Sequence, residues 1–405
     1  MRILLLTPSL PYPPHQGGAI RNFGIIRGLR EAGHEISLLS FHTNGIDNVA
    51  SPLVDLCTRL EVVPPPSRSR KDRLRDMLLT RQPDIARRLL SAAFRQRLIA
   101  MLDAETYDLV QFEGLEMTPY LDVVRQHQPA AKICYDAHNA EYALQRSIFE
   151  VDRKTPGRLA PALYSWAQAQ RIYHYERSVC NRVDCVIAVS EEDAEALRPL
   201  RENRPVAVVP NGIFAERYLN NTPRLDLGEN VLVFTGKMDY RPNVDAILWF
   251  VDAVLPLIRA SVPDVRLYVV GQKPHQSLEA LRDDPGIEVT GWVADVQPFL
   301  QAATVYIAPL RMGSGTRLKI LEAMASGCAV VATPIAASGL KTGVKASIIM
   351  AEGAEAFARE VVALLNDAER RQALGKAAQA DARRFYDWSA LIPYLLETYK
   401  DIGLG

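Results

Sequence analysis

Short runs of Val, Ile and Leu, apolar at successive positions instead of every second one, alternate along the chain with longer stretches of helical period. The first set is RILLLT (2–7), EISLLSF (35–41), DLVQFE (108–113), KICYDAH (132–138), DCVIAVS (184–190) and VAVVPNG (206–212). Runs apolar on both faces predict strands of a covered parallel sheet, with the helices between them as crossovers. The same order restarts after the polar stretch NNTPRLDLGEN (220–230), as VLVFTG (231–236), RLYVVG (266–271), IEVTGW (287–292), VYIAPL (305–310), AVVATP (329–334) and KASIIMA (345–351). The pattern therefore predicts an α/β protein of two doubly wound, Rossmann-like domains, residues 1–210 and 211–382. The last stretch, RRFYDWSALIPYLLETYK (383–400), is more amphipathic and aromatic than the second sheet requires. Residues 383–405 are expected to form a helix that crosses back to the first domain.

Composition narrows the class. The 405 residues carry 47 Lys+Arg against 47 Asp+Glu and are 48% hydrophobic, which fits a globular protein and gives no reason to expect a nucleic-acid partner. Five cysteines without C-x-x-C spacing point to reduced core thiols. The apolar start MRILLLTPSLPYPP is cut by prolines before a signal-peptide core could form, and no stretch reaches the roughly 18 apolar residues of a membrane span. These features together predict a cytoplasmic location.

In open α/β sheets ligands bind beyond the carboxyl ends of the strands, so the loops there carry the candidate chemistry. After the first run, PSLPYPPHQGGAIRN (8–22) ends in Gly17 and Gly18 before a helix, with Arg21 one turn in. Paired glycines allow close backbone approach, and the unpaired N–H groups of a helix start favour anions. The alternative, a pair that only turns the chain, stays open, since no G-x-G-x-x-G spacing is present. YDAHNAEY (135–142) gathers Asp136, His138, Asn139 and Glu141 at another strand end, and GKMDYRPN (236–243) offers Lys237 and Arg241.

GSGTRLKILEAMASG (313–327) is the richest stretch. Gly313, Ser314, Gly315 and Thr316 can expose N–H groups at a helix start, with Arg317 and Lys319 close enough to hold a diphosphate. Glu322, about one turn further, suits a pair of vicinal hydroxyls. A plain Lys319–Glu322 pair would be worth only about 0.2–0.5 kcal/mol and leaves the glycines unexplained. Separately, residues 67–97 hold ten Lys/Arg against three Asp/Glu, with Leu74, Leu78, Leu89 and Leu90 at helical spacing. Either this is a solvated helix face, or residues 68–97 dock on anionic membrane, where each basic residue contributes about 1 kcal/mol.

Taken in order, PYPPHQGGAIRNF, YDAHNAEY, VIAVSEEDAEAL, VVPNGI, GKMDYRPN, VTGWVADV and PLRMGSGTRLKILEAMASGCAVVATPIAASG resemble the retaining GT-B glycosyltransferases of family four, in particular the subgroup associated with bacterial exopolysaccharide synthesis. The resemblance implies two Rossmann-like domains facing a cleft, and a nucleotide-diphosphate sugar held mainly by the second. It also implies transfer to a glycan, lipid-linked or small-molecule acceptor without a metal or other cofactor; no D-x-D spacing occurs in the chain. Carried over by matching position, Glu322 belongs at the nucleotide ribose and Gly17 and Gly18 near the donor phosphates and the acceptor. His138 belongs at the transferring sugar and Lys237 at the diphosphate. Arg21, Asn139 and Glu141, read from the loops themselves, are expected on the acceptor side.

Two positions depart from the family. Ser314 stands eight residues before Glu322, where a sugar-binding glutamate is expected, and Pro242 stands where a second cation is expected. Arg317 or Lys319, with Arg241, is expected to take over the diphosphate, and Ser314 with neighbouring N–H groups the sugar. The same fold leaves room for a nucleotide-sugar epimerase or phosphorylase, or for a degenerate partner that only binds the nucleotide sugar.

Overall fold

A computed structural model of the chain describes residues 1–14, 17–42, 52–154, 159–202, 204–218, 225–313 and 317–405. The chain forms two compact units, Met1–Gly212 together with Leu391–Gly405, and Ile213–Ala390.

In the first unit β1 (Arg2–Thr7), β2 (Glu35–Phe41), β3 (Arg59–Val63), β4 (Leu109–Glu113), β5 (Lys132–Ala137), β6 (Cys185–Ala188) and β7 (Ala207–Val208) form one parallel sheet in the order β3-β2-β1-β4-β5-β6-β7. Ile3, Leu4, Leu5 and Leu6 of β1 are all fully buried, as a strand covered on both faces requires. Strand order reverses between β1 and β4, so the binding crevice of this sheet lies beyond Thr7 and Glu113.

The second unit repeats the plan. Here β8 (Val231–Thr235), β9 (Arg266–Val270), β10 (Ile287–Gly291), β11 (Val305–Ala308), β12 (Val330–Ala332) and β13 (Ile349–Met350) pair in the order β10-β9-β8-β11-β12-β13. The reversal falls between β8 and β11, beyond Thr235 and Ala308.

Three local features differ from the hydrophobic pattern. Strand β3 was not expected: at the sheet edge only Val63 of its five residues is buried, so its sequence carries no covered-strand signature. The expected strand at 345–351 shrinks to Ile349–Met350, because Val344–Ser347 closes as a 3-10 turn. The expected helix over 383–405 is the end of one helix, Ala368–Tyr386, and a second, Trp388–Lys400, with the break at Asp387. That carboxylate accepts from the N–H groups of Ala215 and Ser389, both at 2.9 Å, and Ile213 brackets it by bonding Tyr386 O and Trp388 N. An aspartate bound on both sides leaves the helix rather than continuing it.

Within the first unit Leu391, Leu395 and Tyr399 of the last helix are fully buried. Ile392 sits so close to the Gly17–Glu31 helix that a Cβ on Gly28 would lie 2.2 Å from its Cγ1. Part of the basic stretch is paired: Arg68 bonds Asp76 (2.9 Å) and Asp84 (3.0 Å), Arg87 bonds Asp76 (3.3 Å), and Arg88 bonds Glu116 (2.5 Å). These pairings favour the solvated-face reading of residues 68–97; the side chains of Leu74 and Leu78 lie outside the described residues. No helix among the described residues is long and apolar enough to cross a membrane.

Candidate active site

At the carboxyl end of the first sheet, Glu113 ends β4, Asp136 lies one residue from the end of β5, and His138 follows it. Glu113 and Asp136 are fully buried, and the His138 side chain is 21% exposed, so the imidazole is the group a ligand can reach. Its Nε2 lies 3.0 Å from Glu113 Oε2. A Cβ on Gly18 would lie 3.6 Å from its Nδ1, which puts the glycine pair opening the Gly17–Glu31 helix against the other ring nitrogen. The Asn22 amide, oriented as its surroundings require, donates to Glu113 Oε2 (2.8 Å) and to Gly18 O (3.2 Å), tying the loop to the carboxylate. Burial works against a charge on His138, but the hydrogen bond and charge of Glu113 outweigh it and hold the imidazole above its ordinary value.

Arg21 does not offer its charge to the loop. Its Nε and Nη2 form a fork on Asp136 at 2.9 and 2.8 Å, and Nη1 donates to the carbonyls of Val209 (2.9 Å) and Pro210 (3.2 Å). With 1% of its surface exposed, it braces the sheet, and the acceptor-side expectation for Arg21 is corrected accordingly. Glu113, Asp136 and His138 also lie close enough to suggest a metal site, their ligand atoms falling within 4.8 Å. Both oxygens of Asp136 are already taken by Arg21, so the donor set is that of a charge-balanced hydrogen-bond cluster.

Asn139 and Glu141 are held together, Asn139 Nδ2 donating to Glu141 Oε1 at 3.2 Å. Burial, and then Glu116, push the Glu141 carboxyl up to about 7. Buried Glu176 accepts from the N–H groups of Glu141 (3.2 Å) and Tyr142 (3.0 Å), two donors otherwise unpaired at the start of the Glu141–Lys154 helix.

The second unit gathers its polar groups around the Leu318–Ala325 helix. Arg317 is its N-cap, with φ −83° and ψ 96°, so the helix begins later than expected; Ser314, Gly315 and Thr316 lie outside the described residues. Gly313, at φ +111°, packs against the Arg317 guanidinium: a Cβ there would come 2.7 Å from Nη2. Glu322 Oε1 accepts from Tyr218 Oη at 3.1 Å. Lys319 Nζ donates to Asn243 Oδ1 at 2.6 Å and sits 4.3 Å from the Phe234 ring centroid. Burial, and then Arg317, push the Lys319 amine down to about 7, against the opposing pull of Glu322.

Asn243 also donates to Lys237 O at 2.8 Å, joining the loop after β8 to Lys319. Lys237 itself is exposed and pairs with Asp239 at 3.4 Å, while Arg241 opens the Arg241–Trp249 helix. The backbone beneath is tight, since a Cβ on Gly271 would lie 1.7 Å from Gly236 O and one on Gly236 would lie 2.8 Å from Lys319 Nζ. Gly271→Ala is therefore expected to shift the loop that flanks Lys319 and to cost about 1–3 kcal/mol, read as a lower urea midpoint.

The sequence reading missed Glu113, Gln111, Tyr218, Asn243 and Tyr399. Glu113 and Gln111 were available as the two polar residues of an otherwise apolar strand, and Asn243 as the amide after Pro242. Tyr218 and Tyr399 look like ordinary core aromatics, and nothing local marks them.

Two doubly wound parallel units with polar loops at their strand ends are the architecture of the GT-B glycosyltransferases. Anabaena HepE, solved with UDP and glucose, shares it at TM-score 0.65 and 16% identity over 99% of this chain and 100% of that one. Sucrose-phosphate synthase from Thermosynechococcus elongatus does so at 0.71 and 17%, over 99% of each chain. The family model Glycosyltransferase Family 4 matches residues 16–217, and the model Glycosyl transferases group 1 matches residues 229–367. The chain belongs to the family four glycosyltransferases. Among its relatives, a phosphatidyl-myo-inositol mannosyltransferase of Propionibacterium freudenreichii is 29% identical over 70% of this chain and 71% of that protein. An uncharacterized 44.6 kDa protein in the cps region of Klebsiella pneumoniae is 20% identical over 89% of this chain and 90% of that one.

Proposed function

We propose that the protein transfers a hexose from a nucleotide-diphosphate sugar to a hydroxyl of a glycan or lipid-linked acceptor, with retention at the anomeric carbon, in the synthesis of a cell-surface polysaccharide. The observation that carries this reading is the trio of Tyr218, Glu322 and Lys319, an oriented carboxylate beside a partly buried amine at the carboxyl edge of the second sheet. Glu322 suits the two ribose hydroxyls, and Lys319, with Arg317, suits the diphosphate. HepE, solved with UDP and glucose, and the mannosyltransferase and cps-region relatives support the donor class and the polysaccharide or lipid-linked setting.

In this reading Lys319 supplies the second cation that Pro242 cannot. The acceptor oxygen attacks the anomeric carbon from the face the diphosphate leaves, the C–O bond to the phosphate breaks, and a leaving phosphate oxygen takes the acceptor proton. The chain contributes orientation and charge, through His138 at the sugar and through Lys319, Arg317 and Lys237 at the phosphates. Ser314 and the neighbouring N–H groups are assigned to the sugar hydroxyls.

A thermal-shift screen of UDP-, GDP-, ADP- and dTDP-sugars identifies the donor, because a ligand of the native state raises apparent stability by mass action. Product from that donor and a candidate acceptor is then read by NMR. An anomeric configuration equal to the donor's is expected; an inverted product would overturn retention, and epimerised donor formed without acceptor would overturn transfer. Tyr218→Phe, which frees Glu322 from its brace, is expected to raise donor KM about 5- to 10-fold at nearly constant kcat, the size of one ordinary hydrogen bond.

A further inference from the structure

The face of β4 that carries Gln111 and Glu113 holds a polar ladder that folding does not need. Gln111, Glu113 and Tyr399 are all fully buried, where an apolar trio would avoid the cost of desolvating a carboxylate. Instead their hydrogen bonds run in one line. Tyr399 Oη donates to Gln111 Oε1 at 2.5 Å, Gln111 Nε2 donates to Glu113 Oε1 at 2.7 Å, and Glu113 Oε2 meets His138 Nε2 at 3.0 Å. The line begins on the last helix of the chain and ends on the imidazole that faces Gly18.

We propose that Glu113, and through Gln111 the hydroxyl of Tyr399, are positioning residues for His138: they fix the ring so that Nδ1 faces Gly18 at the start of the Gly17–Glu31 helix and keep Glu113 an acceptor at Nε2.

An amide can serve this line in one orientation only. With Tyr399 donating to its oxygen, Gln111 must present its nitrogen to Glu113, a bond that favours the anion against burial and then the Asp136 charge, which together hold the Glu113 carboxyl above its ordinary value. The anion in turn accepts from the ring and from Asn22. Tyr399 stays a donor, since burial first, and then the surrounding thiols and carboxylates, hold its phenol well above the ordinary value. The charged and titratable groups around the line are Glu113 on β4, Asp136 and Cys134 on β5, Cys185 on β6 and Arg21 on the Gly17–Glu31 helix. Of these only Glu113 bonds His138 directly among the described residues, and Arg21 neutralises Asp136, so the ring responds chiefly to the state of Glu113.

The inference rests on the transferase reading only where it gives His138 a role at the sugar, and the test separates the two. The imidazole of His138 is titrated by NMR in the full-length free protein, its signals assigned by their loss in His138→Gln. Glu113→Gln is expected to lower the midpoint by about 1 pH unit or more, the effect of removing a contacting opposite charge. Tyr399→Phe and Gln111→Leu are each expected to lower it by a smaller, equal step, with no further change when combined, as links of one line must behave. Leu395→Ala, on the same helix, loosens packing without touching the line and should leave the midpoint in place. In turnover assays Tyr399→Phe should lower kcat several-fold at unchanged donor KM. A midpoint unmoved by Tyr399→Phe, or moved equally by Leu395→Ala, would overturn the proposal. If the wild-type chain transferred no sugar while the midpoints moved as expected, the transferase reading would fail and the positioning line would stand.

Discussion

Lys319→Met is expected to abolish most donor turnover and at the same time to raise the melting temperature of the ligand-free protein. The loss follows from chemistry that methionine lacks: a donor fixed beside a site of developing charge is worth about 10²–10³-fold in turnover. The gain follows from the partner Lys319 has in the empty protein. Its ammonium donates to the neutral amide of Asn243 and lies over Phe234, with Arg317 adding repulsion. Methionine of similar length fills that space without desolvating a charge.

The pH dependence carries the sign. Lys319 sits near 7 in the folded chain against an ordinary 10.5, so between those values the unfolded chain holds a proton that the folded chain does not. Wild-type stability therefore climbs with pH across that window, and the advantage of Lys319→Met is largest near pH 6 and shrinks toward pH 10. Each kcal/mol corresponds to about 2–4 °C for a unit of this size. Melting curves at pH 6, 8 and 9.5, with and without the best nucleotide sugar, check both halves: added donor should stabilise the wild type more than the variant, which keeps Glu322, Arg317 and Lys237. A variant less stable than wild type at pH 6 would mean that the pull of Glu322 outweighs the burial and the Arg317 charge that oppose the Lys319 ammonium.

The trade between stability and binding at Lys319 also shows what the sequence could and could not disclose. Strands were legible wherever both faces are buried, because their apolar runs leave little other choice, and edge strand β3 was not, because sheet pairing alone holds it. Gly18, His138, Lys319 and Glu322 were legible because each stands out as polar or glycine at a strand end or helix start. Their partners were not. Tyr218 reaches Glu322 across 104 residues, Asn243 reaches Lys319 across 76, and Tyr399 reaches Gln111 across 288. An aromatic or amide residue that acts at such a range has no local pattern to betray it. Arg21 shows the converse failure. A charge one turn into a helix beside a glycine pair reads as a ligand for anions, and only the fold reveals the carboxylate it already holds.

Arg21→Met should be among the most destabilising single changes in the first unit, by about 3–5 kcal/mol, the cost of stranding one member of a buried ion pair. Three groups lose their donors together. Asp136 keeps its full burial but loses both bonds of the fork, and the carbonyls of Val209 and Pro210 lose theirs. Those carbonyls close the end of the first unit, immediately after β7, so the damage should extend to the chain leaving the sheet. Arg21→Lys should recover only part of the loss, since one ammonium cannot span both oxygens of Asp136 and both carbonyls. The decisive comparison is Arg21→Met combined with Asp136→Leu. If the single variant suffers mainly from an unpaired carboxylate, the double variant should be more stable than Arg21→Met alone, because two apolar side chains of similar volume remove the stranded charge. The carbonyls would still lack donors, so recovery should stop about 1–3 kcal/mol short of wild type. Urea unfolding of wild type, Arg21→Met, Asp136→Leu and the double variant gives the cycle. A double variant no more stable than Arg21→Met would assign the damage to the carbonyls after β7 and remove Asp136 from the account.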